Sequence, residues 1–424
     1  MSSPAQATAS DQAPPRTPRA RARAAVSRLL PPPGPQRVLV ASVLTVTVGG
    51  GLLLGNSTLY LIRVVGMSTN EVGVGLTIGA AIGLVAGPLV GHLADQYGPK
   101  QVHIISMLCG AAATAGFVLT RAFWELVLVS LGVTLVGAAA NASRAPLIRA
   151  LAGEHSTRYL SYQRAITNVG IMVGIAFATI GIQLNSAPVY ITLILISAAT
   201  FLGAGAILIW LPHVKPIGRS PAQRQWVALT DRPYLTITVL NGAMSVYLAI
   251  PTFALPLWIV NYTSVPRAAV TGFVLVNGLL VVALQVRVSR GVTDPVAAGK
   301  RMRWAGFALL VSSGLIGSMA DLAAWTALLL LLVAAVVYSL GEIWQAVASF
   351  ELMFGLALPQ AQGQYSGAFG LGQGAANAAA PAVLAGLCLD HGLPGWLILG
   401  VLLAALGLAT PYGVGWALRC RLAA

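Results

Sequence analysis

From Arg37 onward, apolar stretches of about 20 residues recur along the chain, each cut from the next by a polar break. About 20 helical residues cross the roughly 30 Å hydrocarbon layer of a bilayer, where only a helix or a closed barrel satisfies its own backbone. Twelve such stretches are present, near 38–62, 71–94, 101–120, 122–145, 160–184, 188–211, 234–259, 267–287, 302–320, 322–346, 365–388 and 394–417. Breaks are short except at 146–159, 212–233, 288–301 and 347–364. The pattern predicts an all-α membrane protein with twelve transmembrane helices. Only 8% of the 424 residues are charged, against about 25% in water-soluble domains, too few to cover a surface facing water.

Charge placement sets the orientation, because basic loops stay on the cytoplasmic side. With the amino terminus inside, the tail, Lys100, Arg149, Arg158, Lys215, Arg219, Arg224, Arg232, Arg287, Arg290, Lys300, Arg301, Arg303, Arg419 and Arg421 all fall inside. Arg63, Arg121 and Arg267 fall outside. Both termini are thus expected in the cytoplasm, on a multi-pass protein of the cytoplasmic membrane. Residues 1–36, basic and rich in proline, read as a disordered tail able to touch anionic lipid.

Sliding the chain on itself by 198 residues lays Leu59-Tyr60-Leu61-Ile62 over Leu257-Trp258-Ile259-Val260 and brings spans 71–94 and 267–287 into step. The organisation expected is two six-helix bundles of equal topology, 37–212 and 234–418, joined by a basic cytoplasmic linker at 213–233 and followed by a short tail, 419–424.

Other chemistries find no support in the residues. Cys109, Cys388 and Cys420 are isolated, and His92, His103, His155, His213 and His391 are scattered, so neither a disulfide framework nor a metal site is expected. No Gly-rich phosphate loop with Lys and Ser/Thr and no Gly-x-Ser-x-Gly elbow occurs. The expectation is a non-enzyme without cofactor or ATP, and its positive charge belongs to inner loops rather than to a nucleic-acid surface.

The loop after the second span reads Gly91-His92-Leu93-Ala94-Asp95-Gln96-Tyr97-Gly98-Pro99-Lys100. It resembles the cytoplasmic loop signature of the major facilitator superfamily: a glycine, an acid four residues on, a glycine three further, then a base. Gly91 would admit a neighbouring helix closely, Asp95 would accept hydrogen bonds from a helix amino terminus, and Gly98 would permit the reversal into span three. The resemblance implies that Asp95 latches against span eleven, around Gln364 to Gly367, with Lys100 completing the motif. Gln96 and Pro99 stand where the family usually has bases.

Later stretches, Leu255-Pro256-Leu257-Trp258, Gln285 to Arg290 and Gly341-Glu342, are similar to drug:proton antiporter-type carriers of high-GC bacteria. The antiporter arginine and Gln-Gly of span four are replaced by Leu131-Gly132-Val133-Thr134, and the Gly-Pro of span five by Gly174-Ile175. The resemblance implies a monomeric secondary transporter that works by alternating access, exporting a small organic solute, drug-like or a secreted metabolite, in exchange for protons. Uptake or uniport on the same fold, and a non-transporting membrane protein that binds ligand or lipid, are the alternatives.

A charge inside a span costs about 2.5–3.5 kcal/mol at midplane, and so marks a pathway or a pair. Arg144, Arg164, Glu342 and Glu351 qualify. Arg144 and Glu342 are separated by the repeat interval of 198 residues and carry opposite charge, so they are expected to pair as an inner gate that protonation of Glu342 would weaken. Asn56, Asn141, Asn168, Asn241, Tyr247, Asn277, Gln285, Trp344 and Gln345 are the candidates for lining a central cavity. Amides, aromatics and one carboxylate suit neutral, amphiphilic or weakly cationic organic molecules. Glycines at 79, 83, 87 and 91 share one helix face, where small residues permit close packing.

Overall fold

The computed structural model describes residues 34–84, 89, 92, 93, 96–184, 186–212, 214, 227–267 and 269–422. Most of the basic tail and of the linker lies outside these residues. The described residues form twelve helical rods.

The first six are α1 (Pro35–Tyr60, continued by a π turn, Leu61–Val65), α2 (Thr69–Leu84), α3 (Pro99–Leu119), α4 (Phe123–Ala152), α5 (Ser156–Leu184) and α6 (Ala187–Ile209). The second six are α7 (Arg232–Tyr262), α8 (Ala269–Ser289), α9 (Pro295–Gly317), α10 (Ala324–Gly355), α11 (Gln362–Leu384, continued by a π turn, Ala385–Leu389) and α12 (Asp390–Leu422, kinked at Gly392). Among the described residues, eight continuous helical stretches are long and apolar enough to cross a membrane, the last of them, Pro359–Arg421, holding both α11 and α12. The rods make two six-helix bundles.

Local chemistry sets the helix ends. Proline stands in the first turn of α1, α3, α6, α7 and α9, where its missing N–H costs nothing. Asp231 caps α7 by accepting from the Tyr234 amide at 3.1 Å, and Asp294 caps α9 by accepting from Ala297 at 2.8 Å. Gly98 sits at φ +96°, the left-handed region that the turn into α3 requires.

Two expected breaks are largely helical. Helix α4 runs on to Ala152, through Pro146, and α10 runs on to Gly355. Apolar length measures only what lies in hydrocarbon, whereas a helix continues into the headgroup layer, where polar side chains are at home. Trp124 and Trp325 at one end of the rods, and Tyr97 and Trp210 at the other, are exposed, as aromatic side chains at the two bilayer interfaces are.

Helix α2 packs directly on α4. A Cβ at Gly79 would lie 2.5 Å from the Ser130 Cβ, and one at Gly83 would lie 2.5 Å from Thr134. Ser130 also donates to the Leu76 carbonyl at 3.0 Å. Gly79→Leu is expected to destabilise the fold by about 1–3 kcal/mol, the usual cost of overpacking, read as a lower thermal midpoint of the detergent-solubilised protein.

The described ends of the chain lie at one end of the bundles, here the terminal end. Gln36 donates to the Leu151 carbonyl at 3.1 Å, Arg421 donates to the Leu356 carbonyl at 2.6 Å, and Thr157 of α5 donates to Glu351 of α10. The halves meet where α5 packs on α8 and α10, and where α11 packs on α4 and α2. At the terminal end Phe350, Met353 and Phe354 of α10 enter an apolar cluster of the first half with Ile148, Tyr159 and Leu160. An aromatic seam therefore closes that end.

Candidate functional site

Glu342 sits beyond the middle of α10, buried against α5 and α8. Arg164 of α5 donates to its Oε1 at 2.6 Å, and Asn277 of α8 donates to its Oε2 at 2.7 Å. Asn277 also reaches the Ser339 hydroxyl at 3.2 Å, one turn along α10. The Arg164 side chain is 22% exposed and that of Glu342 9%, so the pair is largely withdrawn from solvent. An ion pair so placed holds only while both charges persist, since losing one leaves the other stranded.

This pair joins the two halves. Sequence symmetry assigns Glu342 to Arg144; the structure gives it to Arg164 instead. Arg144 donates to Asn141, one turn back on its own helix, at 2.8 Å. The reason is geometric. Equivalent positions of two repeats lie on opposite sides of the axis relating them, so each meets the helix after its counterpart: α10 packs on α5, as α4 packs on α11.

A second polar chain runs beside the carboxylate. The Tyr247 hydroxyl donates to Gln345 Oε1 at 3.1 Å, and Gln345 Nε2 donates to Asn241 Oδ1 at 2.9 Å. The Asn241 Nδ2 is left as a buried donor without a partner. Tyr247 is brought here because α7 is irregular at this depth, passing from α-helix to a 3₁₀ stretch, Ser245–Ala249, and a π turn, Ile250–Ala254. Tyr338, one turn before Glu342, donates to the Tyr247 carbonyl at 3.2 Å and meets its ring edge-on at 5.6 Å.

The other expected residues are dispersed. Asn56 is spent on the Tyr190 carbonyl within its own half, at 2.9 Å, and Trp344 packs on the core of the second half. Asn168 lies one turn beyond Arg164 on α5, half-buried, and Gln285 is buried in α8. Glu351 accepts from Thr157, nine residues nearer the terminal end than Glu342.

Of the loop signature, Gly91 and Asp95 lie outside the described residues. His92 of that loop meets Gln364 of α11 at 3.0 Å, and Ser366 donates to the Ala142 carbonyl of α4 at 3.2 Å. Lys100 turns elsewhere, donating to the Ile209 and Leu211 carbonyls at 2.9 and 2.5 Å, and so caps the end of α6.

Sequence reasoning passed over Ser339, Tyr338 and Thr157, whereas Ser366 lies in the Gln364 to Gly367 stretch expected to meet the opposite half. The first two stand three and four residues before Glu342, on its helix face, and spacing alone could have found them. Thr157 carries no such signal, because only the packing of the halves brings it to the seam.

A family model described as Major Facilitator Superfamily matches residues 34–381. An uncharacterized MFS-type transporter of Escherichia coli strain K12, YdeE, is 26% identical over 346 residues, covering 79% of this chain and 84% of that protein. Among solved structures, a bacterial homologue of the iron transporter ferroportin in an outward-facing state superposes with a TM-score of 0.72 at 13% identity, covering 91% of this chain and 100% of the other. The human organic anion transporter MFSD10 gives 0.69 at 17% identity, with 90% and 100% covered. The E. coli fucose:proton symporter FucP gives 0.64 at 10% identity, with 89% and 98% covered. At such identities the structural likenesses show the fold alone.

Proposed function

We propose that this chain, which belongs to the Major Facilitator Superfamily and is a multi-pass secondary transporter, exports a small organic solute in exchange for protons. The observation that carries the reading is the Arg164–Glu342 pair, a carboxylate in the membrane interior held by a cation from the opposite half.

The terminal end is taken as cytoplasmic, because Lys100, Arg149, Arg158, Arg232, Arg287, Arg290 and Lys300 stand at helix ends there. With Glu342 charged, the pair holds α5 against α10 and the site faces outward. Proton uptake from outside neutralises Glu342 and releases Arg164, and the cytoplasmic end opens. The proton then leaves to the cytoplasm and the solute enters. The recharged carboxylate retakes Arg164, and the carrier turns outward with its cargo. Each charge state favours one conformation, which is the minimum that coupling needs.

The latch through Asp95, with Gly91 and Gly98 shaping its turn, belongs to this reading, as a carboxylate set against the α11 amino terminus. Asn241, Tyr247, Asn277 and Gln345 would contact the solute, with the Asn241 amide as a ready donor. They favour a neutral or weakly cationic molecule with acceptor oxygens.

Transport into proteoliposomes under an imposed pH gradient tests the proposal: a substrate pool that ignores the gradient refutes the exchange. Orientation has its own test. Cysteines introduced at Val227 and Arg290 are expected to react with an impermeant maleimide only from the cytoplasm, and one at Arg267 only from outside. Opposite labelling of Val227→Cys and Arg290→Cys would overturn the topology.

A further inference from the structure

The first turn of α11 divides its contacts. Gln364 meets His92 and Ser366 meets the Ala142 carbonyl, both in the opposite half. Tyr365, between them, turns back into its own half, where its hydroxyl donates to Asp231 Oδ2 at 2.6 Å. Its ring meets Tyr234 edge-on at 4.5 Å, and the Tyr234 hydroxyl donates to the Tyr365 carbonyl at 3.1 Å.

The same Asp231 oxygen takes Arg421 of α12 at 2.6 Å. Arg421 donates as well to the Leu356 carbonyl just past α10, and its guanidinium carbon lies 5.7 Å from the centre of the Tyr365 ring. Asp231 meanwhile caps α7 through its other oxygen. One ion pair thus binds the terminal ends of α7, α10, α11 and α12.

Successive residues of a helix point about 100° apart, so holding Tyr365 fixes where its two neighbours aim. Without that hold the first turn of α11 can fray or rotate, as a helix end with few partners does. We infer that Asp231 and Arg421 are a positioning pair for transport: through Tyr365 they set the aim of Gln364 and Ser366, and so the strength of the seam that closes the terminal end.

The pair belongs wholly to the second half and touches neither Arg164 nor Glu342, so its role is separate from any proton chemistry. The inference rests on the carrier reading only in needing a chain that alternates between two closures.

The test uses the full chain with its three native cysteines replaced and a reporter, Ala346→Cys, placed one turn beyond Glu342 on the seam face of α10. An impermeant maleimide is applied from the terminal side of proteoliposomes. Arg421→Met, Asp231→Asn and the milder Tyr365→Phe are each expected to raise the labelling rate, by roughly tenfold for the first two, a size typical of coupling between sites. Arg421→Lys is expected to return part of the protection. A merely structural role would lower thermal stability and leave the labelling rate of the folded fraction unchanged. Unchanged labelling in monodisperse Arg421→Met and Tyr365→Phe would overturn the inference. If instead the reporter's labelling in the parent chain never responds to transport conditions, the alternation itself has failed.

Discussion

Replacing Glu342 with Gln is expected to abolish pH-driven accumulation while solute still equilibrates down its own gradient. The substitution keeps the volume of the side chain. Its amide oxygen can still accept from Asn277, which now meets the carboxylate at 2.7 Å. What disappears is the group that changes charge. A gradient of one pH unit is worth about 1.4 kcal/mol per proton, hence about tenfold accumulation for one-to-one exchange. In the variant the ratio falls to about one at any gradient, because the carboxylate beside Arg164 that takes up the proton in the proposed exchange is gone. Steady-state accumulation in proteoliposomes, measured at imposed gradients of zero, one and two units, reads the result directly. A variant that still concentrates solute with the gradient would remove Glu342 from the coupling step. Glu351, which accepts from Thr157 nearer the terminal end, would then become the carboxylate to substitute.

The legible part of this molecule was the part that hydrocarbon dictates. Twelve apolar stretches became twelve rods, because a bilayer leaves the backbone little choice but helix. Helix ends were harder to place, since Asp294 capping α9 and α4 continuing through Pro146 depend on headgroup-level contacts that apolar counting ignores. At the site, the identities of Arg164, Glu342, Asn277, Tyr247, Asn241 and Gln345 were visible as polar residues at apolar depth. Their pairing was not. A repeat interval relates Arg144 to Glu342 in position along their bundles, whereas contact is decided by which helices face across the seam. The contact of Tyr247 with Gln345 depended further on a 3₁₀ and π irregularity in α7, at Pro251 and its neighbours, that no hydropathy pattern encodes.

Arg164→Leu is expected to push the carrier toward the state open at the terminal end, and a second substitution is expected to bring it back. Removing one member of a buried ion pair typically costs about 3–5 kcal/mol, because the remaining charge is left without a partner in a medium that does not solvate it. Here the cost falls on the closed arrangement alone, since opening the terminal end lets water reach Glu342. At about 1.4 kcal/mol per factor of ten, the closed-to-open ratio drops by roughly a hundredfold or more. The reporter at Ala346→Cys would label correspondingly faster from the terminal side. Replacing both partners, Arg164→Leu with Glu342→Leu, removes the stranded charge and supplies apolar contacts to the neighbouring aromatic seam. Such exchanges are often neutral or stabilising by about 1–4 kcal/mol, so slow labelling returns. Transport does not return with it, because a seam without charge has no means of answering a proton. Damage to the fold cannot produce this sequence, in which one substitution opens the molecule and a second, at the contacting residue, closes it again. Equal labelling of the single and double variants would show that Arg164 and Glu342 do not hold the seam shut.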